Sequence, residues 1–329
     1  MLCIVLAGCG FHSSANPIDG SPLDPVDAPA TDAPLIDASA IDAVADAMVP
    51  PATCWQHWLD QDVALDSVGP LTPLSTSGTE RDPWISEDGL RLYFWRQGAT
   101  GGADGYLSIR NAPSDPFLTA NKLDGVSLAD RDEGRMAFTR DELVIVVSAN
   151  FGGGSPFDIR TATRANRSAS FTTPVPDHLA AVNTANTQHF DPFLSGDGQH
   201  LYLAPVPNGA PQHIAMASRT ALNADFTPAA LVRVINTTEP LAGDSDPALS
   251  PDERVIVFSS NRSGGVGSGD LYYATRMNAA QPFGAPLPIP TVNSTFADGD
   301  PMLSADGCTL YFASLRAGSF DLYTAAVIR

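Results

Sequence analysis

Five short apolar triplets punctuate the chain at a steady interval: Leu92-Tyr93-Phe94, Ile145-Val146-Val147, Leu201-Tyr202-Leu203, Ile256-Val257-Phe258 and Leu310-Tyr311-Phe312. Each begins six residues after a Ser or Thr, with no gap in any copy. That Ser or Thr belongs to a second landmark, Asp82-Pro83-Trp84-Ile85-Ser86-Glu87-Asp88-Gly89, which returns at 191–198, 246–253 and 300–307. A worn copy reads Arg135-Met136-Ala137-Phe138-Thr139-Arg140-Asp141-Glu142. The starts at 82, 135, 191, 246 and 300 lie 53, 56, 55 and 54 residues apart, the signature of a repeat architecture.

A third element begins after a Gly-rich loop, at Asp104, Asp158, His213, Asp270 and Asp321. In the first four copies an arginine follows six residues later (Arg110, Arg164, Arg219, Arg276). A phenylalanine comes seven residues after that (Phe117, Phe171, Phe226, Phe283). A proline-bearing stretch such as Thr173-Pro174-Val175-Pro176 then ends the unit. Each unit therefore reads strand, Asp-Gly-type hairpin turn, strand, loop, strand and a weaker edge strand, since proline removes a ladder donor. Four-stranded antiparallel units at this period predict an all-β, five-bladed β-propeller. Only four copies carry their own fourth strand. The fifth is expected from the N-terminal stretch Gly69-Pro70-Leu71-Thr72-Pro73-Leu74, closing the last blade and hiding its open edge.

The run D-P-x-x-S-x-D-G-x-x-L-Y-F, followed by Asn261-Arg262 with glycines and then Asp-Leu-Tyr, resembles the WD40-like repeat of TolB-type β-propellers over about 68–329. Proteins of that type include envelope binding modules and propellers fused to peptidase domains. The chain departs from the pattern at Arg135 and His213, which stand where other copies have Asp. It departs again at Pro205-Val206-Pro207, which replaces the Ser-x-Arg loop.

The N-terminus has a different organisation. Leu6-Ala7-Gly8-Cys9 follows an apolar run and resembles a bacterial lipobox, which implies a signal segment over 1–9 and a lipid on Cys9. Residues 10–53 read as an Asp/Ala/Pro-rich disordered tether. Its seven aspartates between 13 and 51 are offset by no base, and Asp-Ala recurs nearly every five residues, a period that fits neither helix nor strand. The propeller then occupies 54–329. In an oxidising compartment Cys54 and Cys308 can form a disulfide; the alternative is two separate thiols.

Charge narrows the partners. The formal net charge is −19, and Lys122 is the only lysine among 329 residues, which excludes a nucleic-acid footprint. No G-x-S-x-G, H-E-x-x-H, C-x-x-C or Walker A motif occurs, and the six histidines show no ligand spacing. No catalytic or metal-binding residue is therefore assigned. The acids that open the inner strands, Asp82, Asp191, Asp246 and Asp300, are expected near one mouth of the central channel. They hold either a cation or basic ligand, or take hydrogen bonds inside their own blades; recurrence at equivalent positions favours the second. No other cofactor is expected. Asp132 and Glu133 break the repeat, and with His213 they mark a contact surface on the divergent blades two and three.

The resulting expectation is a monomeric propeller in the bacterial cell envelope, bound to the membrane only through its lipid. It would serve as a non-catalytic platform for an envelope protein or a glycan. The alternative is a glycan-active enzyme using paired carboxylates in the central funnel.

Overall fold

The computed structural model describes residues 53–97, 102–128, 131–150, 156–207 and 210–328. The signal segment with Cys9, and the tether apart from Thr53, lie outside the described residues. A short helix α1 (Cys54–Asp60) is followed by strand β1 (Leu65–Pro70). Blade one comprises β2 (Thr79–Ile85), β3 (Arg91–Gln97), β4 (Ala103–Ile109) and β5 (Asn121–Lys122). Blade two holds β6 (Glu133–Phe138), β7 (Val144–Ala149) and β8 (Asp158–Thr163). Blade three holds β9 (Thr187–Leu194), β10 (His200–Pro207), β11 (Ala215–Ser218) and β12 (Ala230–Leu231). Blade four holds β13 (Asp244–Leu249), β14 (Val255–Ser260), β15 (Asp270–Thr275) and β16 (Leu287–Pro288). Blade five is built from β17 (Asp298–Leu303), β18 (Thr309–Ser314), β19 (Asp321–Val327) and, from ahead of blade one in the sequence, β1.

The protein is thus an all-β five-bladed propeller closed by its N-terminal strand. β1 runs antiparallel to β19 with Gly69 opposite Thr324 and Pro70 opposite Tyr323, and Leu71 N–H donates to the Leu322 carbonyl at 2.8 Å. The strand begins earlier than the proline-rich stretch suggested, because residues 71–74 curl into a turn closed by Leu74 N–H on the Leu71 carbonyl. Blade two departs from four strands. Its fourth reduces to one antiparallel bridge between Thr161 and Val175, since the prolines on either side of Val175 offer no N–H to extend a ladder.

The second strands carry the core. All five triplets are buried on both faces, between neighbouring blades, which is why they read as continuous apolar runs. The Arg-then-Phe spacing also has a physical cause. Arg110, Arg164, Arg219 and Arg276 stack at 4.2–4.5 Å over Phe117, Phe171, Phe226 and Phe283. Each also donates its Nε–H to the carbonyl of the hairpin-turn residue, Gly89, Glu142, Gly198 or Glu253. The turn aspartates (Asp88, Asp141, Asp197, Asp252, Asp306) each accept the Ser or Thr hydroxyl two residues earlier at 2.6 Å. They are turn formers.

Helix α1 has no counterpart in the repeat. Thr53 caps it, its side chain accepting from Gln56 N–H. Trp55 and Trp58 donate their indole N–H groups to the carbonyls of Ala305 and Gly307 at 2.9 Å. Gly307 has φ +72°, and a Cβ there would meet the Trp55 ring at 2.6 Å, so only glycine lets the helix sit down. Cys54 and Cys308 are joined as a disulfide with Cα atoms 5.1 Å apart. No helix among the described residues is long and apolar enough to cross a membrane.

Candidate functional site

The five inner strands, β2, β6, β9, β13 and β17, share one irregularity. Each slips register against its neighbour at the Asp-Pro position or its equivalent, between Arg81 and Trp84 in β2 and between Gly299 and Met302 in β17, for example. At these bulges Asp82, Asp191, Asp246 and Asp300 adopt φ of 54–55°, a left-handed conformation that aspartate tolerates better than most residues. The bulge brings carboxylates from separate blades together. One oxygen from each of Asp82, Asp191 and Asp246 lies within 4.8 Å of the others, although they come from blades one, three and four.

These acids lie inside the channel rather than at its rim. Asp300 is fully buried and Asp82 and Asp246 nearly so, while Asp191 is half-buried. Their partners cross blade boundaries. Arg81 grips Asp300 with two hydrogen bonds of 2.8 and 2.9 Å, and Asp82 N–H also points at Asp300. Only Asp191, held by the Gln212 amide, and Asp246, held by the Ser245 hydroxyl at 3.0 Å, are served from within their own blades. Arg135 occupies the fifth place in the ring, 4.0 Å from Asp246. Asp82 Oδ1 and Arg135 Nη1 are buried without a hydrogen-bond partner.

Protonation divides the ring. Burial, then the charge of Asp300, holds the Asp82 carboxyl well above the usual carboxylate range; burial and Asp246 do the same to Asp191. Asp246 is raised by burial and by Asp300. Asp300 is lowered: burial opposes its ionisation, but the charge and hydrogen bonds of Arg81 outweigh that. The acids therefore share protons as a group, with the negative charge concentrated on Asp300. Their spacing also suits one bridging cation, which Asp82, Asp191 and Asp246 would hold.

The two ends of the channel differ. At one end a cavity of about 380 Å³ is lined by Arg81, Gln212, Ser245, Asp246, Ser259 and Phe320. Leu241, 93 % exposed, stands at its edge. At the other end Trp84, Phe138, Phe193 and Met302 pack together, leaving about 80 Å³.

The expected contact surface of Asp132, Glu133 and His213 requires correction. Glu133 is 1 % exposed, so it cannot meet a partner. It accepts Leu128 N–H at 3.3 Å with one oxygen and leaves the other without a hydrogen bond; burial pushes its carboxyl up to about 8. Asp132 accepts Ala103 N–H and the Asn150 amide. His213 is half-buried, with Nδ1 3.2 Å from Asp244.

Glu133 stands at a position that matters in every blade. Its equivalents Glu80, Asp244 and Asp298 are hooked by Arg96, Arg262 and Arg316, each stacked over two rings, such as Phe312 and Tyr323 for Arg316. In blade three His189 takes the place and pairs with Asp158 at 3.2 Å.

No family model matches the sequence, and no curated protein matches it. Solved structures do. The chain is similar to BT0996 in its RGII complex (TM-score 0.61, 9 % identity), covering 82 % of this chain and 94 % of that one. It is similar to the catalytic domain of the Coprinopsis cinerea GH62 α-L-arabinofuranosidase (TM-score 0.53, 12 % identity), covering 81 % and 96 %. TolB from Acinetobacter baumannii matches at TM-score 0.43 and 18 % identity over 69 % of this chain and 47 % of that one. For the first two, at identities of 9 % and 12 %, the shared property is the fold alone.

Proposed function

We propose that the protein is glycan-active and works on carbohydrate at the polar end of its channel. The observation that carries this reading is a group of clustered carboxyls pushed in opposite directions, Asp246 up and Asp300 down, with Asp246 lining a cavity of about 380 Å³. Titratable groups pushed apart by their surroundings are what acid–base chemistry needs. Asp246 faces the cavity, and burial raises its carboxyl above the usual carboxylate range, which suits it to act as the acid toward a glycosidic oxygen. Asp191, with an oxygen within 4.8 Å of Asp246, serves as its partner carboxyl in the ionised form, which burial and the charge of Asp246 oppose. Burial first, and then the charge of Asp300, which Arg81 stabilises, raise the Asp246 carboxyl. The likeness to an arabinofuranosidase catalytic domain supports the reading, because it sets carbohydrate chemistry on the same fold.

One observation favours a second reading, binding without cleavage. The oxygens of Asp82, Asp191 and Asp246 all lie within 4.8 Å of one another, closer than the roughly 5–5.5 Å that separates the carboxyls of retaining glycosidases. One experiment separates the two. The full chain is incubated with a panel of polysaccharides and aryl glycosides, and both binding and released reducing ends are measured. Release that disappears in Asp246→Asn supports the enzyme. Binding without release, equal in the two proteins, supports the platform. Neither binding nor release overturns both.

The cellular setting is part of the proposal: a bacterial envelope protein lipidated at Cys9, with glycan as the partner rather than nucleic acid. Mass spectrometry of the mature N-terminus tests it, and an unmodified terminus downstream of Cys9 would refute the anchor.

A further inference from the structure

On the turn side of the ring, two seams between blades share a buried network. Between blades one and two, the Glu142 carboxylate receives Arg91 twice at 2.7 Å and the Tyr93 hydroxyl at 2.8 Å, while Arg164 donates to that hydroxyl at 3.0 Å. Between blades three and four, Glu253 receives His200 at 2.7 Å and the Tyr202 hydroxyl at 3.1 Å. Arg276 again donates to the tyrosine, at 3.2 Å. The two seams two–three and four–five lack both groups: Val146 and Val257 stand for tyrosine, and Gly198 and Gly307 for glutamate.

The seam between blades five and one breaks this pairing. Tyr311 is present and 3 % exposed, and Arg110 donates to its hydroxyl at 3.3 Å in the same pose. The residue that should bring the carboxylate is Gly89. The tyrosine's own O–H has no acceptor among the described residues. A cavity of about 510 Å³ opens at this point, lined by Gly89, Arg110, Thr309 and Tyr311, with Leu71 and Pro113 as apolar walls.

We propose that this seam binds a small carboxylate, whose carboxylate group occupies the place that Glu142 and Glu253 fill elsewhere. Arg110 supplies the charge and Tyr311 the donor; the apolar walls accept a short aliphatic chain. Three acids also face the cavity, Glu87, Asp88 and Asp306. Each is already engaged: Glu87 with Arg140, Asp88 with Ser86 and Arg91, and Asp306 with Ser304 and the Cys308 N–H. In the first seam Asp88 and Glu142 share Arg91; Thr309 stands at that place in this seam, so Arg110 is the one cation among the described residues lining the cavity.

The test uses propionate, which reproduces a glutamate side chain, with propionamide as its neutral isostere. Both are titrated calorimetrically into the full chain, into Gly89→Glu and into Tyr311→Phe. Gly89 has φ +69°, close to the +61° and +57° at which Glu142 and Glu253 sit, so the glutamate variant fits the backbone. Arg110 also clamps the turn, which is why tyrosine is varied instead. Expected are saturable propionate binding, no binding of propionamide, roughly tenfold weaker binding in Tyr311→Phe and none in Gly89→Glu. The proposal is overturned if propionamide binds as well as propionate, or if Gly89→Glu or Tyr311→Phe binds it like the parent. Absence of binding up to about 0.1 M overturns it as well.

Discussion

Blades five and two are the same unit held together in opposite ways. Blade five has four strands, an arginine hook from Arg316 to Asp298, a disulfide, and two indoles resting on its turn. Blade two has three strands and one bridge, and its Glu133 has one oxygen without a hydrogen bond at the place where blade five has its hook. Both nevertheless keep the bulged inner strand and the buried apolar triplet. The shared geometry therefore rests on backbone ladders and inter-blade packing. The polar and covalent devices are added locally, and most densely where β1 meets β19.

Removing the disulfide should give the largest effect. Replacing both Cys54 and Cys308 by serine is expected to lower stability by about 2–5 kcal/mol in denaturant unfolding, because the bond closes a very long loop. An unchanged midpoint would show that α1 and β1 close the ring alone. Next comes the hook: Arg316→Ala strands the buried Asp298 carboxylate and should cost about 1–3 kcal/mol. A loss below that range would place blade five nearer to blade two than its contacts suggest.

The third effect has the opposite sign and depends on pH. Glu133 titrates near 8 when folded, against its ordinary value of 4.5. The folded state thus holds a proton that the unfolded chain releases between those values, and stability falls as pH rises through that window. Glu133→Gln should remove this slope and be the more stable protein above pH 8, by roughly 1–3 kcal/mol. Parallel pH profiles for parent and variant would contradict the assignment. Smallest is Val175→Pro, which deletes the N–H bonded to Thr161 and should cost no more than about 1 kcal/mol. A larger loss would mean that the outer edge of blade two carries more of the ring than its single bridge implies.

The propeller was legible because its determinants are local and periodic. Apolar triplets, Asp-Pro bulges and Asp-Gly turns recur within each unit at fixed spacing, and Arg110 and its counterparts announced their phenylalanines the same way. The hooks were not legible. Arg96 follows Phe94 by two residues, whereas Arg262 and Arg316 follow Phe258 and Phe312 by four, so only three dimensions bring all three over equivalent ring pairs. The seam networks escaped for another reason. They join a tyrosine of one copy to a glutamate of the next, and aligning copies side by side separates the partners. Helix α1 is a single copy of seven residues, with no period to reveal it. Glu133 did stand out as irregular, but its burial and its bond from Leu128 N–H are tertiary features that composition does not encode.

Cys54 is the first residue of α1 and precedes β1 in the chain. A pull arriving along the chain from the N-terminal side therefore enters the disulfide almost at once and is delivered to Cys308, at the turn between β17 and β18. Beyond Cys54 itself, neither α1 nor β1 lies on that path, so the strand that seals the ring is mechanically shunted. The force needed to peel β1 from β19 becomes relevant only after a covalent bond has been reduced.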